Sequence, residues 1–220
     1  MGIKAIFFDF DGTLVNSEGF HFNCWNETLS KFNTSLEWDY YVHNYAGIPT
    51  PENAEALVEK FSLPIQTGRL TEMMEDIGKQ HSEIHVPELM PFAEEVIKFF
   101  GNKGLKLAIV TGSPRHDLSS FFSKVDLEKY FDFVVTRDDV GQSKPHPESY
   151  EMARQKSGFE KEEIIVFEDT ANGTASAADA GLKCFAIQKE TSLHYKLLRA
   201  NSIFSDLQEA KGFVVRNFSF

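Results

Sequence analysis

The chain has 220 residues, 42% hydrophobic and 25% charged, a globular composition with enough apolar material for a real core. Its formal net charge of −11 argues against binding nucleic acid or an anionic membrane through its overall field, and leaves room only for a local cationic pocket that takes a small anion. No run reaches the roughly 20 apolar residues that span a bilayer, and two distant cysteines, Cys24 and Cys184, fit a reducing cytoplasm better than a disulfide framework.

Ile3 to Phe8 reads as a buried strand, and the start of the chain reads as that strand rather than as a signal peptide. Asp9-Phe10-Asp11-Gly12-Thr13 follows at once. Asn16-Ser17-Glu18 then opens an amphipathic helix through Phe22, Trp25, Leu29 and Phe32, with His21 beside its apolar face. Tyr40 to Tyr45 is ambiguous. Gly47 to Pro51 is a turn, with Thr50 expected as N-cap and Pro51 as the first helical residue. Ala54, Leu57, Val58 and Phe61 predict a second helix, and Leu70, Met73, Met74 and Ile77 a third that runs towards His85. Residues 17–86 thus read as wholly helical.

From Pro87 the pattern changes to strands alternating with helices. A helix is expected through Val96 to Phe100, ended by Gly101 and Gly104. Strands are expected at Leu105–Val110, Phe131–Val135, Ile164–Phe167, Lys183–Ile187 and Ser202–Phe204, with helices at Pro114–Phe122, Pro147–Lys156 and Ala171–Ala180. Such alternation implies a parallel sheet with right-handed crossovers. The expected fold is therefore α/β. A Rossmann-like parallel sheet core of residues 1–16 and 87–220 carries an inserted all-helical cap domain of residues 17–86. The end of the chain, Gly212 to Phe220, is apolar enough to pack on the core or on a partner.

Three strands end in polar residues: Asp9 and Asp11, then Thr111-Gly112-Ser113, then Glu168-Asp169. In a parallel sheet these ends share one edge, where ligands bind. Carboxylates gathered there repel one another without a cation, and oxygen-only ligands suit Mg2+. Thr111-Gly112-Ser113 ahead of a helix is an anion site or a plain N-cap. Lys144, in Gln142-Ser143-Lys144-Pro145-His146, is a solvated loop lysine or the neutralising partner of a phosphate or carboxylate.

These motifs, in this order, resemble those of the haloacid dehalogenase-like hydrolase superfamily, in the branch with a helical cap after the first strand, and the resemblance covers almost the whole chain. Asp9-Phe10-Asp11-Gly12-Thr13 matches the first motif, Thr111 the second, Lys144 the third and Glu168-Asp169 the fourth, with Thr170 where serine is usual. The resemblance implies a phosphatase acting on a small phosphorylated metabolite, a sugar phosphate or similar. In it Asp9 is the nucleophile that forms an aspartyl-phosphate, and Asp11 is the acid and base. Mg2+ is held by the Asp9 and Asp169 carboxylates and the Asp11 backbone carbonyl, with Glu168 direct or through water. Thr111, Gly112, Ser113 and Lys144 bind the phosphoryl oxygens.

The alternative activity is that of a β-phosphoglucomutase-like phosphomutase. His21 matches a functional histidine of that mutase, whereas Thr50 stands where the mutase has an arginine for its second phosphate. A metal-free dehalogenase fits less well, because it does not need Asp11. A non-catalytic binding protein on the same fold predicts a lost motif residue, and none is lost. A receiver-type phosphoacceptor domain has no cap of this length. Phe92 departs from the glycine that often follows proline in the family. His21 and Thr50 are the expected substrate contacts in the cap. Phe20, Trp25, Tyr40, Tyr41, Tyr45 and His43 either line a pocket or form the cap's own core, the latter being favoured. A cytoplasmic monomer is expected, without nucleic-acid or membrane partners.

Overall fold

A computed structural model describes residues 2–82 and 88–220. The chain divides into two compact units, residues 1–16 with 88–220, and residues 17–87. The boundary expected at 86/87 and His85 lie outside the described residues.

The first unit is built on a six-stranded parallel sheet. Its strands are β1 (Ala5–Phe8), β4 (Lys106–Val110), β5 (Phe133–Val135), β6 (Ile164–Glu168), β7 (Lys183–Ile187) and β8 (Ser202–Phe204), in the order β5-β4-β1-β6-β7-β8. β1 lies between β4 and β6, with Phe7 opposite Ala108 on one side and Val166 on the other. Side chains alternate across a strand, so each strand of a sheet covered on both faces must be apolar throughout. Ile6, Phe8, Leu107, Ile109, Ile165 and Phe167 point to one face, where helices α5 (Ala93–Asn102), α6 (Arg115–Phe122) and α9 (Leu207–Asn217) bury Phe100, Phe121 and Val214. Ala5, Phe7, Ala108, Val110 and Val166 point to the other, under α7 (Glu148–Ser157) and α8 (Ala171–Asp179), which bury Tyr150, Ala153 and Ala177. A two-stranded antiparallel ribbon, β2 (Val15–Asn16) with β3 (Glu88–Leu89), completes the unit.

The second unit is helical: α1 (Glu18–Ser30), α2 (Trp38–Asn44), α3 (Thr50–Phe61) and α4 (Thr67–Ser82). Trp25, Leu29, Tyr41, Ala54, Leu57, Leu70, Met74 and Ile77 form its core. The ambiguous aromatic stretch is α2, held by Trp38 and Tyr41 against Phe22, with ring centroids 5.2 Å and 5.5 Å away. The aromatic residues divide. Trp25, Tyr41 and Tyr45 are buried, Phe20 packs against the core, and Tyr40 and His43 are exposed. Thr50 is not the N-cap of α3. That place belongs to Pro49, in extended conformation, so Thr50 is the first helical residue and Pro51 the second. Neither position has an N–H that the helix needs, so the shift costs nothing.

Other corrections are local. Gly101 does not end α5, which runs through Asn102. Gly104, at φ +77°, makes the exit. The apolar terminus is α9, a helix that packs on the core, with Val214 fully buried and Phe213 and Phe218 against Phe185.

Candidate active site

The loops after β1, β4, β5 and β6 leave the same edge of the sheet, and each carries a polar group to it. After β1 the chain turns sharply. Gly12, at φ +78°, donates its N–H to the Val15 carbonyl at 2.7 Å, and Leu14 and Val15 donate to Phe10. A Cβ at Gly12 would overlap the Asp169 carboxylate, so this left-handed corner and the close approach both require glycine. Thr13, fully buried, donates its hydroxyl to Asp169 Oδ1 at 3.1 Å. The first and fourth motifs are thereby joined.

Asp9 is 6% exposed, and its N–H donates to the Phe167 carbonyl at 2.9 Å. Its Oδ1 accepts from Lys144 Nζ at 2.6 Å. The same ammonium donates to Glu168 Oε1 at 2.6 Å and to the Val110 carbonyl at 2.8 Å. Lys144 is thus the buried counter-ion of two carboxylates from two strands, not a solvated loop lysine. Its loop is braced on each side. Glu148 accepts from the Gly141 and Gln142 N–H groups, and Ser176 donates to the His146 carbonyl at 2.7 Å.

Glu168 is fully buried. Its Oε2 accepts from the Asp169 and Thr170 N–H groups and the Thr170 hydroxyl. Thr170 also caps α8, accepting the Gly173 N–H at 2.9 Å. A Cβ at Gly173 would overlap the Glu168 carboxylate, so the first turn of α8 is cut away to admit it. After β4, the Ser113 hydroxyl donates to Asp11 Oδ2 at 2.5 Å. The Ser113 N–H donates to Thr111 Oγ1, and the Thr111 N–H to the Val135 carbonyl. Two of the amides expected at an anion are therefore bound within the loops.

Burial, more than any neighbour, pushes the Asp9 carboxyl well above its ordinary value. Glu168 adds to this and Lys144 opposes it. For Lys144 burial works downward, but Asp9 and Glu168 outweigh it and hold the ammonium charged above its ordinary range. Carboxylate oxygens of Asp9, Glu168 and Asp169 lie within 4.8 Å of one another, a hard-oxygen group able to take a divalent cation.

The structure therefore gathers Asp9, Asp11, Thr111, Ser113, Lys144, Glu168 and Asp169 in one unit. His21 and Thr50 belong to the helical unit, where both are half-buried and the Phe20 ring lies 5.7 Å from His21. Sequence reasoning missed Tyr150, whose hydroxyl donates to Glu168 Oε1 at 2.8 Å. The available signal was an aromatic residue with a polar end on the core face of the helix after Lys144.

The sequence model of the haloacid dehalogenase-like hydrolase family matches residues 6–187. A phosphorylated carbohydrates phosphatase of Thermotoga maritima is 27% identical over 181 residues, covering 82% of this chain and 83% of that protein. The pyrophosphatase PpaX of Halalkalibacterium halodurans is 31% identical over 187 residues, covering 83% and 82%. Among solved structures, a haloacid dehalogenase-like protein of Agrobacterium tumefaciens matches with a TM-score of 0.84 at 20% identity, over 98% of this chain and 99% of that one, a likeness of fold. No described helix is long and apolar enough to cross a membrane. With its motif residues gathered at one sheet edge and the family's sequence model spanning them all, the chain belongs to the haloacid dehalogenase-like hydrolases.

Proposed function

We propose that this hydrolase is a Mg2+-dependent phosphatase that cleaves a small phosphorylated metabolite through an aspartyl-phosphate on Asp9, with residues 17–86 as the cap that selects the substrate. The observation that carries this reading is the pairing of Asp9 with a buried ammonium, Lys144, at 2.6 Å. Lys144 opposes the burial and the Glu168 charge that raise the Asp9 carboxyl, and so favours the ionised, nucleophilic form. The names of both relatives, a phosphatase and a pyrophosphatase, support it. Two buried cysteines, both free, support a reducing compartment, the cytoplasm.

Asp9 attacks phosphorus in line as the ester oxygen leaves. Asp11, held by Ser113, gives its proton to that oxygen, then takes one from the water that attacks the aspartyl-phosphate. Phosphate departs and Asp9 is restored. The Thr111 hydroxyl accepts from Ser113 and so keeps its own proton for a phosphoryl oxygen, beside Lys144. Mg2+ fits Asp9, Asp169 and the Asp11 carbonyl, with Glu168 direct or through water. When bound it neutralises carboxylate charge and polarises the phosphoryl group.

The test is phosphate release from a panel of small phosphate esters, with and without Mg2+, beside Asp9→Asn. Release that needs both metal and Asp9 is expected. Release by Asp9→Asn would overturn the nucleophile. No release, together with isomerisation of a sugar 1-phosphate, would establish the phosphomutase instead.

A further inference from the structure

An ammonium has three protons. Lys144 Nζ has four acceptors around it: Asp9 Oδ1 at 2.6 Å, Glu168 Oε1 at 2.6 Å, the Val110 carbonyl at 2.8 Å and the Tyr150 hydroxyl at 3.3 Å. The three short contacts use all its protons, so at rest none remains for a phosphoryl oxygen. The Val110 carbonyl is fixed in β4. While the ammonium stays on Asp9 Oδ1, it holds that oxygen's electron density and lowers its nucleophilicity. A turn of Lys144 from Asp9 to the incoming phosphoryl group meets both needs.

That turn disturbs Glu168, which is fully buried and shares the same ammonium. A buried carboxylate that loses a donor is costly unless a second one stays in place. Oε2 keeps its donors from Asp169 and Thr170, but at Oε1 the second donor beside Lys144 is Tyr150. Its hydroxyl reaches Glu168 Oε1 at 2.8 Å, and its ring lies 4.9 Å from the ammonium. Tyr150 is itself fully buried. The rigid body of α7 therefore fixes it while Lys144 moves.

We infer that Tyr150 is a positioning residue whose hydroxyl holds Glu168 in place while Lys144 changes partner from Asp9 to the phosphoryl group. The inference rests on the reading of Asp9 as nucleophile and Lys144 as phosphoryl ligand. It predicts that the hydroxyl, not the ring, matters to turnover.

Tyr150→Phe tests it, because the ring, its packing and its contact with the ammonium are kept. The variant is expected to fold, to bind Mg2+ with calorimetric affinity within about twofold of the native protein, and to lose about 10- to 100-fold in kcat/KM. Inhibition by orthovanadate, which also demands the turn of Lys144, weakens by the same factor. A merely structural hydroxyl predicts a lower melting temperature with kcat/KM and vanadate affinity unmoved, and that result overturns the inference. In a Glu168→Gln background, where no buried anion needs holding, Tyr150→Phe costs less than about twofold. The full loss repeated there rules out action through Glu168. Should the native protein turn over no ester, the reading of the site falls on that result alone. Equal vanadate affinity of native and Tyr150→Phe proteins would then overturn the positioning role.

Discussion

Lys144→Met replaces a buried ammonium by an apolar chain of similar length, and its cost follows from what stays behind. Lys144 is 8% exposed and pairs with two carboxylates, Asp9 and Glu168, that are 9% and 0% exposed at their side chains. At a charge separation of about 4 Å and an effective dielectric constant of about 20, each pair contributes roughly 4 kcal/mol before desolvation. Returning the ammonium to water recovers several kcal/mol of that. The two carboxylates then lie buried without their cation, and breaking a buried pair in this way costs about 3–5 kcal/mol. For a chain of this size the melting temperature falls by about 2–4 °C per kcal/mol, hence by roughly 6–20 °C. The loss also depends on pH. Burial and Glu168 already raise the Asp9 carboxyl, and Lys144 is what opposes them. Without it the folded pKa climbs further above the unfolded one, so the folded variant holds a proton that its unfolded chain releases. That contribution is present below the unfolded carboxyl range and is lost as pH rises through the raised value. The deficit against the native protein therefore grows as pH rises above the unfolded carboxyl range, and is larger at about pH 8 than at about pH 5. Thermal unfolding in chelator at both values measures it. A variant that melts within about 2 °C of native at the higher pH would refute the argument, because no buried charge could then depend on Lys144.

Three further outcomes are expected. Gly173→Ala places a Cβ into the Glu168 carboxylate, so it lowers stability by about 1–3 kcal/mol in urea unfolding, although alanine ordinarily favours a helix over glycine; a stabilised variant contradicts the close approach. Burial, and then Glu27, pushes the Cys24 thiol up to about 12. At pH 8.5 its thiolate is rarer by about a thousandfold than in an ordinary thiol, so a chromogenic thiol reagent should react fast only after denaturation. Phe92 is held at φ +66° and is 40% exposed. Phe92→Gly relieves a left-handed cost of about 1–2 kcal/mol and should leave the melting temperature level or higher, whereas Phe92→Val, β-branched, should lower it; the reverse order would show that the Phe92 ring, not the backbone, decides.

The sheet was legible because the part of each strand buried on both faces is an apolar run, as Ala5–Phe8 and Cys184–Ile187 are. The motif residues were legible because a parallel sheet sends every strand's end to one edge. What escaped is short or three-dimensional. β2 and β3 have two residues each, too few for any period. α2, with seven residues, shows barely two turns of pattern. α9 did carry a start signal. Asp206 accepts the Glu209 N–H at 2.8 Å, and Glu209 reaches back to Ser205, but Gly212 and the β-branched Val214-Val215 conceal the helix that follows. Lys144 and Tyr150 were beyond a linear reading for another reason. Whether a lysine is solvated or locked between carboxylates depends on strands 135 and 24 residues away in sequence.

The central position of β1 bears on how the chain is made. Ala5 pairs with Lys106 and with Ile164, so the strand at the middle of the finished sheet is the first to be synthesised and must wait for neighbours encoded far downstream. At about 5–20 residues per second, the first of them follows some 5–20 seconds later. Through that interval an apolar segment, Ala5-Ile6-Phe7-Phe8, has both edges unpaired and no sheet to join. The nascent chain is thus exposed to aggregation at the sheet's own future centre, and any factor that shields a growing chain acts here on the strand that leads into Asp9.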